Sequence, residues 1–499
     1  MNLAQHLEMS AYFFPDRPAV SSADGEMTYG MLEAKASRIA TALISMGIKP
    51  GDHIGLWAPN SADWIAFYFG VLKAGAVAVT LSWALSAREL ALLLGHSRPK
   101  IIFTDSSKLE AVQSARESAG VEKIICKDGD LDLSGLLAAG SEKFRAIDRE
   151  RLDTAAVLYT GGTTGMPKGV MLTHQGIAFS SWSIAYCERS TEKDRALCFL
   201  PFNHVFGQIH IMNATILAGG CLELLPTFDL DRVLHLMETG RITKFFAVPT
   251  IYVRLLGVDD LEKRKGALRY SFSAAASMPM NVVKQWKERT GITIAESLGM
   301  TEVMPLSYNH FYSHKVGSVG QILPQVEVQI RDLDGNRLPD GERGEICARG
   351  PNVMKGYLNN PEATAAAFWE GGWLRTEDIG LFDEDRYLFI VDRLKDLIIT
   401  GGENVYPREV EELLYTRAEV EECALIGLPD ENWGERVTAI IKVRAGQSLE
   451  PDKMSGFLKS SLAPFKVPKE YIVVDELPKS PTGKILKREL RTQFRKGNV

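Results

Sequence analysis

The sequence predicts an α/β fold: a large N-terminal domain of parallel sheets with flanking helices, a small β-barrel-like subdomain within it, and a small α+β C-terminal domain. Three observations predict it. Strand-like and helix-like runs alternate from Thr28 to Thr104 and again from Ala155 to Ser273, the rhythm of a parallel sheet covered by helices. From Val316 to about residue 391 the pattern changes to short alternating strands between Gly/Asp turns, such as Val326–Ile330 and Glu345–Ala348. A charged run, Asp392-Arg393-Leu394-Lys395, then precedes about a hundred residues with strand and helix runs of their own, which is a domain by size. The expected boundaries are 1–394 and 395–499, and at 499 residues two or three domains are the prior.

Taken in order, apolar residues recur at helical spacing from Thr28 to Met46, and Gly47 stops the helix. Strand Ile54–Trp57 follows, and Asn60-Ser61 caps a helix running to Leu72. Ala76–Thr80 reads as strand, Ser86–Leu94 as helix and Ile101–Thr104 as strand. The polar stretch Asp128–Arg151 reads as a surface passage. Beyond it, Ala155–Tyr159 and Val170–Leu172 are short buried strands, His174–Tyr186 is a helix and Ala196–Leu200 a buried strand. Alternation continues through Cys221–Leu225, the helix Asp231–Glu238, Lys244–Val248 and Tyr270–Ser273. The C-terminal unit reads as helix 410–415, strands 423–428 and 438–443, helix 453–460 and strand 471–474.

Composition excludes several classes. Hydrophobic residues at 45% and charged residues at 24% are ordinary globular values, which removes disordered and fibrous chains. The net charge of -6 gives no reason to expect nucleic acid, and the basic cluster from Lys484 to Lys496 reads as a solvated helix face. Six cysteines lie scattered, without paired metal-ligand spacing and mostly inside apolar runs, so they read as reduced packing residues. Met1–Pro18 lacks a signal peptide's basic start and apolar core, and no run approaches the ~20 apolar residues of a membrane span. A soluble, cytoplasmic protein is expected, with its oligomeric state left open.

One loop organises the chemistry. Between two strands lies Tyr159-Thr160-Gly161-Gly162-Thr163-Thr164-Gly165-Met166-Pro167-Lys168-Gly169. Its glycines let backbone N–H groups approach an oxyanion, its threonines add hydroxyl donors and Lys168 adds positive charge, which together make a phosphate cradle. The spacing is not that of the P-loop, because Lys168 is followed by Gly169 and the next run is strand rather than helix. Four later segments carry reactive or small residues: Leu200-Pro201-Phe202-Asn203-His204-Val205-Phe206-Gly207, Ser273-Ala274-Ala275-Ala276-Ser277, Glu296-Ser297-Leu298-Gly299-Met300-Thr301-Glu302 and Trp373-Leu374-Arg375-Thr376-Glu377-Asp378. Alone, His204 reads as a loop residue, Ser273–Ser277 as a tightly packed turn, Asp392 to Asp396 as a surface ion-pair run and Pro481-Thr482-Gly483-Lys484 as a surface turn.

In this order and at these separations, the set resembles the adenylate-forming acyl-CoA synthetases, which share their fold with peptide-synthetase adenylation domains and beetle luciferases. The resemblance covers nearly the whole chain. It implies ATP, CoA and Mg²⁺ as cofactors, a small carboxylic acid as substrate, and the following roles. Thr160, Gly161, Gly162, Thr163, Thr164, Gly165 and Lys168 would cradle phosphate. Thr301 would meet the α-phosphate, and Glu302 would hold Mg²⁺, a hard cation suited to carboxylate. Glu296, Leu298, Gly299, Met300 and Ala276 would border the adenine, and Asp378 with Arg393 would bind the ribose. His204, Phe206, Ala274, Met304 and Pro305 would line the acyl pocket. Lys484 would be the catalytic lysine, Lys395 the hinge of a mobile C-terminal domain, and Gly401 with Gly402 part of the CoA channel. The chain departs from the family pattern at Leu298, where an aromatic residue is usual, at Ser277, where proline is usual, and at Glu377, where glycine is usual. The apolar character of Phe206, Met304, Pro305 and Leu306 favours a fatty, alicyclic or aryl monocarboxylate. An adenylating enzyme that loads a carrier protein, a luciferase-like oxygenase and a non-catalytic acyl-binding protein are the alternatives.

Overall fold

The computed structural model describes residues 1–160, 167–274, 278–479 and 485–495. Two seven-stranded sheets form the large N-terminal part. In the first, Ile294–Glu296, Tyr270–Ser273, Lys244–Ala247, Arg195–Cys198, Cys221–Leu224 and Pro18–Ser22 run side by side and parallel, and Gly25–Thr28 closes one edge as a hairpin. In the second, Thr154–Thr160, Val77–Thr80, His53–Trp57, Ile101–Thr104 and Lys123–Ile125 are parallel neighbours, while Lys168–Thr173 and Gly356–Tyr357 add an antiparallel edge. Five of these strands, Val77–Thr80, Ile101–Thr104, Cys221–Leu224, Lys244–Ala247 and Tyr270–Ser273, are wholly buried, as expected of strands covered on both faces.

The predicted helices form close to their expected limits, and their sequence signals are visible. Ser61 accepts from the amide of Trp64 to open Ala62–Lys73, and Ser86 with Glu89 makes a reciprocal capping box at Ala87–Ser97. The predicted β subdomain is a five-stranded antiparallel sheet of Glu327–Arg331, Gly344–Arg349, Trp373–Phe382, Phe368–Trp369 and Leu388–Arg393. The C-terminal region has its own five-stranded sheet, covered by helices Pro407–Tyr415 and Pro451–Lys459 around a separate apolar core that includes Val410, Leu425 and Ile441. No helix among the described residues is long and apolar enough to cross a membrane.

Two expectations need correction, and one helix was not expected. The passage Asp128–Arg151 is not uniformly superficial: Leu133–Ala138 is a helix capped by Asp132, and Leu136 is fully buried. Only its one apolar face is covered, which is why a polar average concealed it. The N-terminal segment contains a helix, Gln5–Phe13, docked through Glu8 to the fully buried Lys73 at 2.6 Å, and Lys73 also meets Glu33 at 2.5 Å. A buried ammonium needs such partners. Finally, the basic terminal helix Lys487–Arg495 is not simply solvated: Lys487 pairs with Glu411 at 2.7 Å, Arg491 with Asp396 at 2.9 Å, and Leu490 is buried between them.

Candidate active site

The root of the cradle loop is an antiparallel ladder ending at the pair Thr160↔Lys168. Tyr159 holds it from the side, its hydroxyl 2.8 Å from His96 Nδ1. Gly161, Gly162, Thr163, Thr164 and Gly165 lie outside the described residues, as do Ala276 and Lys484. The ammonium of Lys168 stands 4.8 Å from the ring centre of Tyr357, and the Tyr357 hydroxyl donates to Glu302 Oε1 at 2.9 Å. Glu302 and the half-buried Thr301 occupy a tight turn closed by Met300 N–H to Val303 O at 3.0 Å and the reciprocal bond at 3.1 Å. The Glu302 carbonyl accepts from Met354 N–H at 2.8 Å, so this turn is tied to the segment that carries Tyr357. Burial pushes the Glu302 carboxyl above its ordinary range, and the Tyr357 phenol and the Lys168 charge oppose that rise.

The second group lies on two paired strands. Asp378 and Arg393 face each other in register, with Arg393 Nε 3.3 Å from Asp378 Oδ1. Asp378 is buried; its own N–H donates to Thr376 Oγ1 at 3.1 Å. Glu377, at the family's glycine position, has φ +57°, so the left-handed backbone that glycine supplies easily is kept by a glutamate. Its exposed carboxylate lies within electrostatic reach of both Glu302 and Lys395. Lys395 sits in the short 3₁₀ turn Leu394–Asp396 that leaves this sheet.

Glu296 ends the edge strand Ile294–Glu296 and is 9% exposed, with Oε1 accepting from Met278 N–H at 3.2 Å. Burial raises its pKa to about 7. Leu298 is packed into the main core, its amide donating to Ser307 Oγ at 3.3 Å and its carbonyl accepting from Leu306 N–H at 2.8 Å. Gly299 after it is exposed.

Two family models match: the AMP-binding enzyme over residues 7–358 and the AMP-binding enzyme C-terminal domain over 409–484. The chain belongs to the AMP-binding enzyme family. It is 33% identical to the long-chain-fatty-acid–CoA ligase of Bacillus subtilis over 96% of this chain and 92% of that one. It is 35% identical to the oxalate–CoA ligase of Arabidopsis thaliana, over 98% of each. The crystal structure of ATP-bound MatB from Rhodopseudomonas palustris superposes with a TM-score of 0.94 at 35% identity, covering 99% of both chains. This AMP-binding enzyme is an AMP-forming acyl-CoA ligase, which uses ATP to activate a carboxylic acid to an acyl-adenylate.

In this ligase the residues expected at the acyl side are buried or half-buried. Phe206 opens a π-helical run, Phe206–Asn213, directly after the His204 loop, and Phe206 N–H donates to His204 Nδ1 at 3.2 Å. Burial lowers the His204 pKa. Ala274 is half-buried at the end of Tyr270–Ser273, and Met304 and Pro305 are buried, their carbonyls accepting from Ser180 and Asn352. On the C-terminal side, Gly401 and Gly402 form the two-residue turn of the hairpin Ile398–Thr400/Glu403–Val405, at φ +60° and +84°. Two consecutive left-handed residues suit such a turn, and glycine adopts them without strain. A Cβ on Gly401 would meet the Trp433 ring at 3.0 Å. Lys479 and Ile485, which flank the lysine turn, pair antiparallel. The two parts of the chain meet where Asp392 Oδ2 accepts from Arg408 N–H at 2.7 Å, at the start of helix Pro407–Tyr415.

The sequence did not single out Tyr357, His210, Glu188 or Tyr308. Tyr357 sits in a two-residue edge strand too short to show a period. The other three are joined only by the fold, so no local spacing could mark them.

Proposed function

We propose that the enzyme couples adenylation of a fatty, alicyclic or aryl monocarboxylate to thioester formation with CoA, through the residues assigned above. The observation that carries this reading is the continuous Lys168–Tyr357–Glu302 contact at the root of the cradle, beside the Asp378–Arg393 pair. One cluster can thereby face phosphates and the other a ribose, since a carboxylate accepts two hydroxyl donors. Glu296 would accept from the adenine amino group.

The donor set fits Mg²⁺: Glu302 is a buried carboxylate with a raised pKa, an environment that a hard cation would offset. When bound there, Mg²⁺ would supply charge neutralisation on the phosphates. The protein's own contributions are separate. Lys168 and the loop's N–H and hydroxyl donors hold the polyphosphate, Thr301 steadies the α-phosphate, and Lys484 stabilises charge as the substrate carboxylate attacks phosphorus and pyrophosphate leaves. The CoA thiol then attacks the acyl carbonyl and AMP leaves. Lys484 must withdraw for that step, and rotation about Lys395 would bring the Gly401-Gly402 turn to the pantetheine channel. The interdomain bond from Arg408 to Asp392 is one that such a rotation would have to break or preserve as a pivot.

Six buried thiols suit a reducing, cytoplasmic location. The relationship leaves the acid open, because the named relatives are ligases for substrates as unlike as a long-chain fatty acid and oxalate. A pyrophosphate-release screen over a panel of carboxylic acids, with and without CoA, tests the reading. Lys484→Ala should slow adenylation by roughly 10²- to 10³-fold, yet leave thioester formation from preformed acyl-adenylate nearly intact. Equal losses in both half-reactions would refute the assigned role of Lys484. Pyrophosphate release with no CoA thioester would favour a carrier-loading enzyme.

A further inference from the structure

Phe206, assigned above to the acyl pocket, packs into a buried aromatic cluster. Phe272 lies in the strand Tyr270–Ser273, two residues before Ala274, which follows the strand directly. His210 and Phe206 lie on the same π-helical run. The ring centres of His210 and Phe272 are 4.2 Å apart, Phe206 and His210 5.2 Å, Phe206 and Phe272 5.6 Å, and Phe272 and Tyr308 5.4 Å. All four side chains are buried.

This cluster is fastened from behind. His210 Nε2 is 2.9 Å from Glu188 Oε1, the Tyr308 hydroxyl donates to the same oxygen at 2.7 Å, and Lys244 Nζ is 2.9 Å from Glu188 Oε2. Burial works against ionisation of Glu188, but Lys244 and His210 hold its pKa down to about 2. Rotating His210 or Tyr308 aside would leave a fully buried carboxylate short of a donor, which a protein interior resists strongly. An ordinary wall of leucines has no such tether.

We propose that the His210–Phe272–Tyr308 wall, anchored on Glu188, closes the acyl pocket just past Phe206, so that the ligase takes compact monocarboxylates, short-chain or single-ring, and rejects long-chain fatty acids. The inference rests on the acyl-pocket reading above. His210 and Phe272 are then length-setting residues, because the methylenes of a long chain cannot pass them and must remain outside or displace a tethered ring.

The test compares kcat/KM of the full chain for butanoate, hexanoate, benzoate, dodecanoate and hexadecanoate. Hexanoate or benzoate should exceed hexadecanoate by about 100-fold or more, the scale on which an apolar pocket discriminates by size. Phe272→Ala and the milder Phe272→Leu should shift the preference towards dodecanoate, and both leave the Glu188 network complete. Should Phe272→Ala unfold, Phe272→Leu carries the comparison. Calorimetric titration with hexanoyl- and hexadecanoyl-sulfamoyl-adenosine measures pocket length without turnover. Equal affinities for the two, or hexadecanoate used as well as hexanoate, would overturn the wall. If neither analogue binds and no acid releases pyrophosphate, the ligase reading falls and the wall's role falls with it.

Discussion

The phenol of Tyr357 donates to Oε1 of Glu302 at 2.9 Å, and the same ring carries Lys168 on its face at 4.8 Å. Tyr357 thus favours the ionised form of a carboxyl whose burial pushes the other way. In Tyr357→Phe the ring and its cation contact remain while the donor is lost, so the Glu302 pKa should rise further. Because the carboxylate is the form that serves a cation, the acid limb of the pH–rate profile for pyrophosphate release should move to higher pH. A lost hydrogen bond to a charged group is worth about 1.5 to 3 kcal/mol, which places the displacement at about one to two pH units. An acid limb that stays in place would remove Glu302 from the rate-determining ionisations.

Glu296 offers a prediction about stability. Its folded pKa of about 7 lies above its ordinary value of 4.5, so the folded protein holds this proton where the unfolded chain has released it. Its stabilising contribution is complete below the unfolded pKa and is lost as pH rises towards about 7. The loss amounts to about 3 kcal/mol at alkaline pH. Glu296→Gln keeps an oxygen for Met278 N–H and cannot ionise. Thermal unfolding should show the variant close to wild type at pH 5 and more stable at pH 8. Parallel curves at both pH values would mean that water or a cation already relieves the carboxylate.

Glu377 keeps a left-handed backbone at φ +57° with a side chain that does not favour it. That conformation costs an L-residue about 1 to 2 kcal/mol, while glycine adds unfolded-state entropy of about 0.5 to 1 kcal/mol. Glu377→Gly should therefore be neutral or stabilising by up to about 1 kcal/mol, and Glu377→Val clearly destabilising, because a β-branched residue tolerates positive φ least. Urea midpoints of the two variants check this. Removing the charge should also let the Glu302 pKa fall, since Glu377 is among the groups that raise it. That effect is separable by comparing Glu377→Gln, which keeps the strain and drops the charge.

The sheets and helices were legible because their signals are local: a period, a capping serine, a stopping glycine. The pairing of Asp378 with Arg393 was legible only as two separate motif residues, since nothing between them in the chain states that their strands lie in register. Tyr357 and the His210–Glu188–Tyr308 group were invisible for the same reason in stronger form. Glu188 and Tyr308 are 120 positions apart and meet only through the packing of the helix His174–Cys187 against the strand Ser307–Tyr308 region. The terminal helix misled because charge count says nothing about partners: Lys487 and Arg491 look solvated until Glu411 and Asp396 are brought beside them.

Leu298 tests the nucleotide side of the site. The family's usual aromatic residue would stack on adenine, a contact worth about 1 to 3 kcal/mol, whereas leucine offers dispersion without an aromatic face. Here the leucine is 6% exposed, held on both sides by the Ser307 and Leu306 bonds, and packed against the core. A tyrosine ring is too large for that niche, and overpacking a core costs about 1 to 3 kcal/mol. Gly299 beside it is exposed, and in the proposed reading the nucleotide would lie on that side. Leu298→Tyr should therefore lose some thermal stability without ligand, recover it with ATP, and lower the KM for ATP by up to about tenfold if ~1.4 kcal/mol of stacking is gained. Acid preference should change little. Steady-state kinetics across the acid panel decides the matter: unchanged ATP dependence with a narrowed acid range would place the ring in the acyl pocket and refute the adenine assignment.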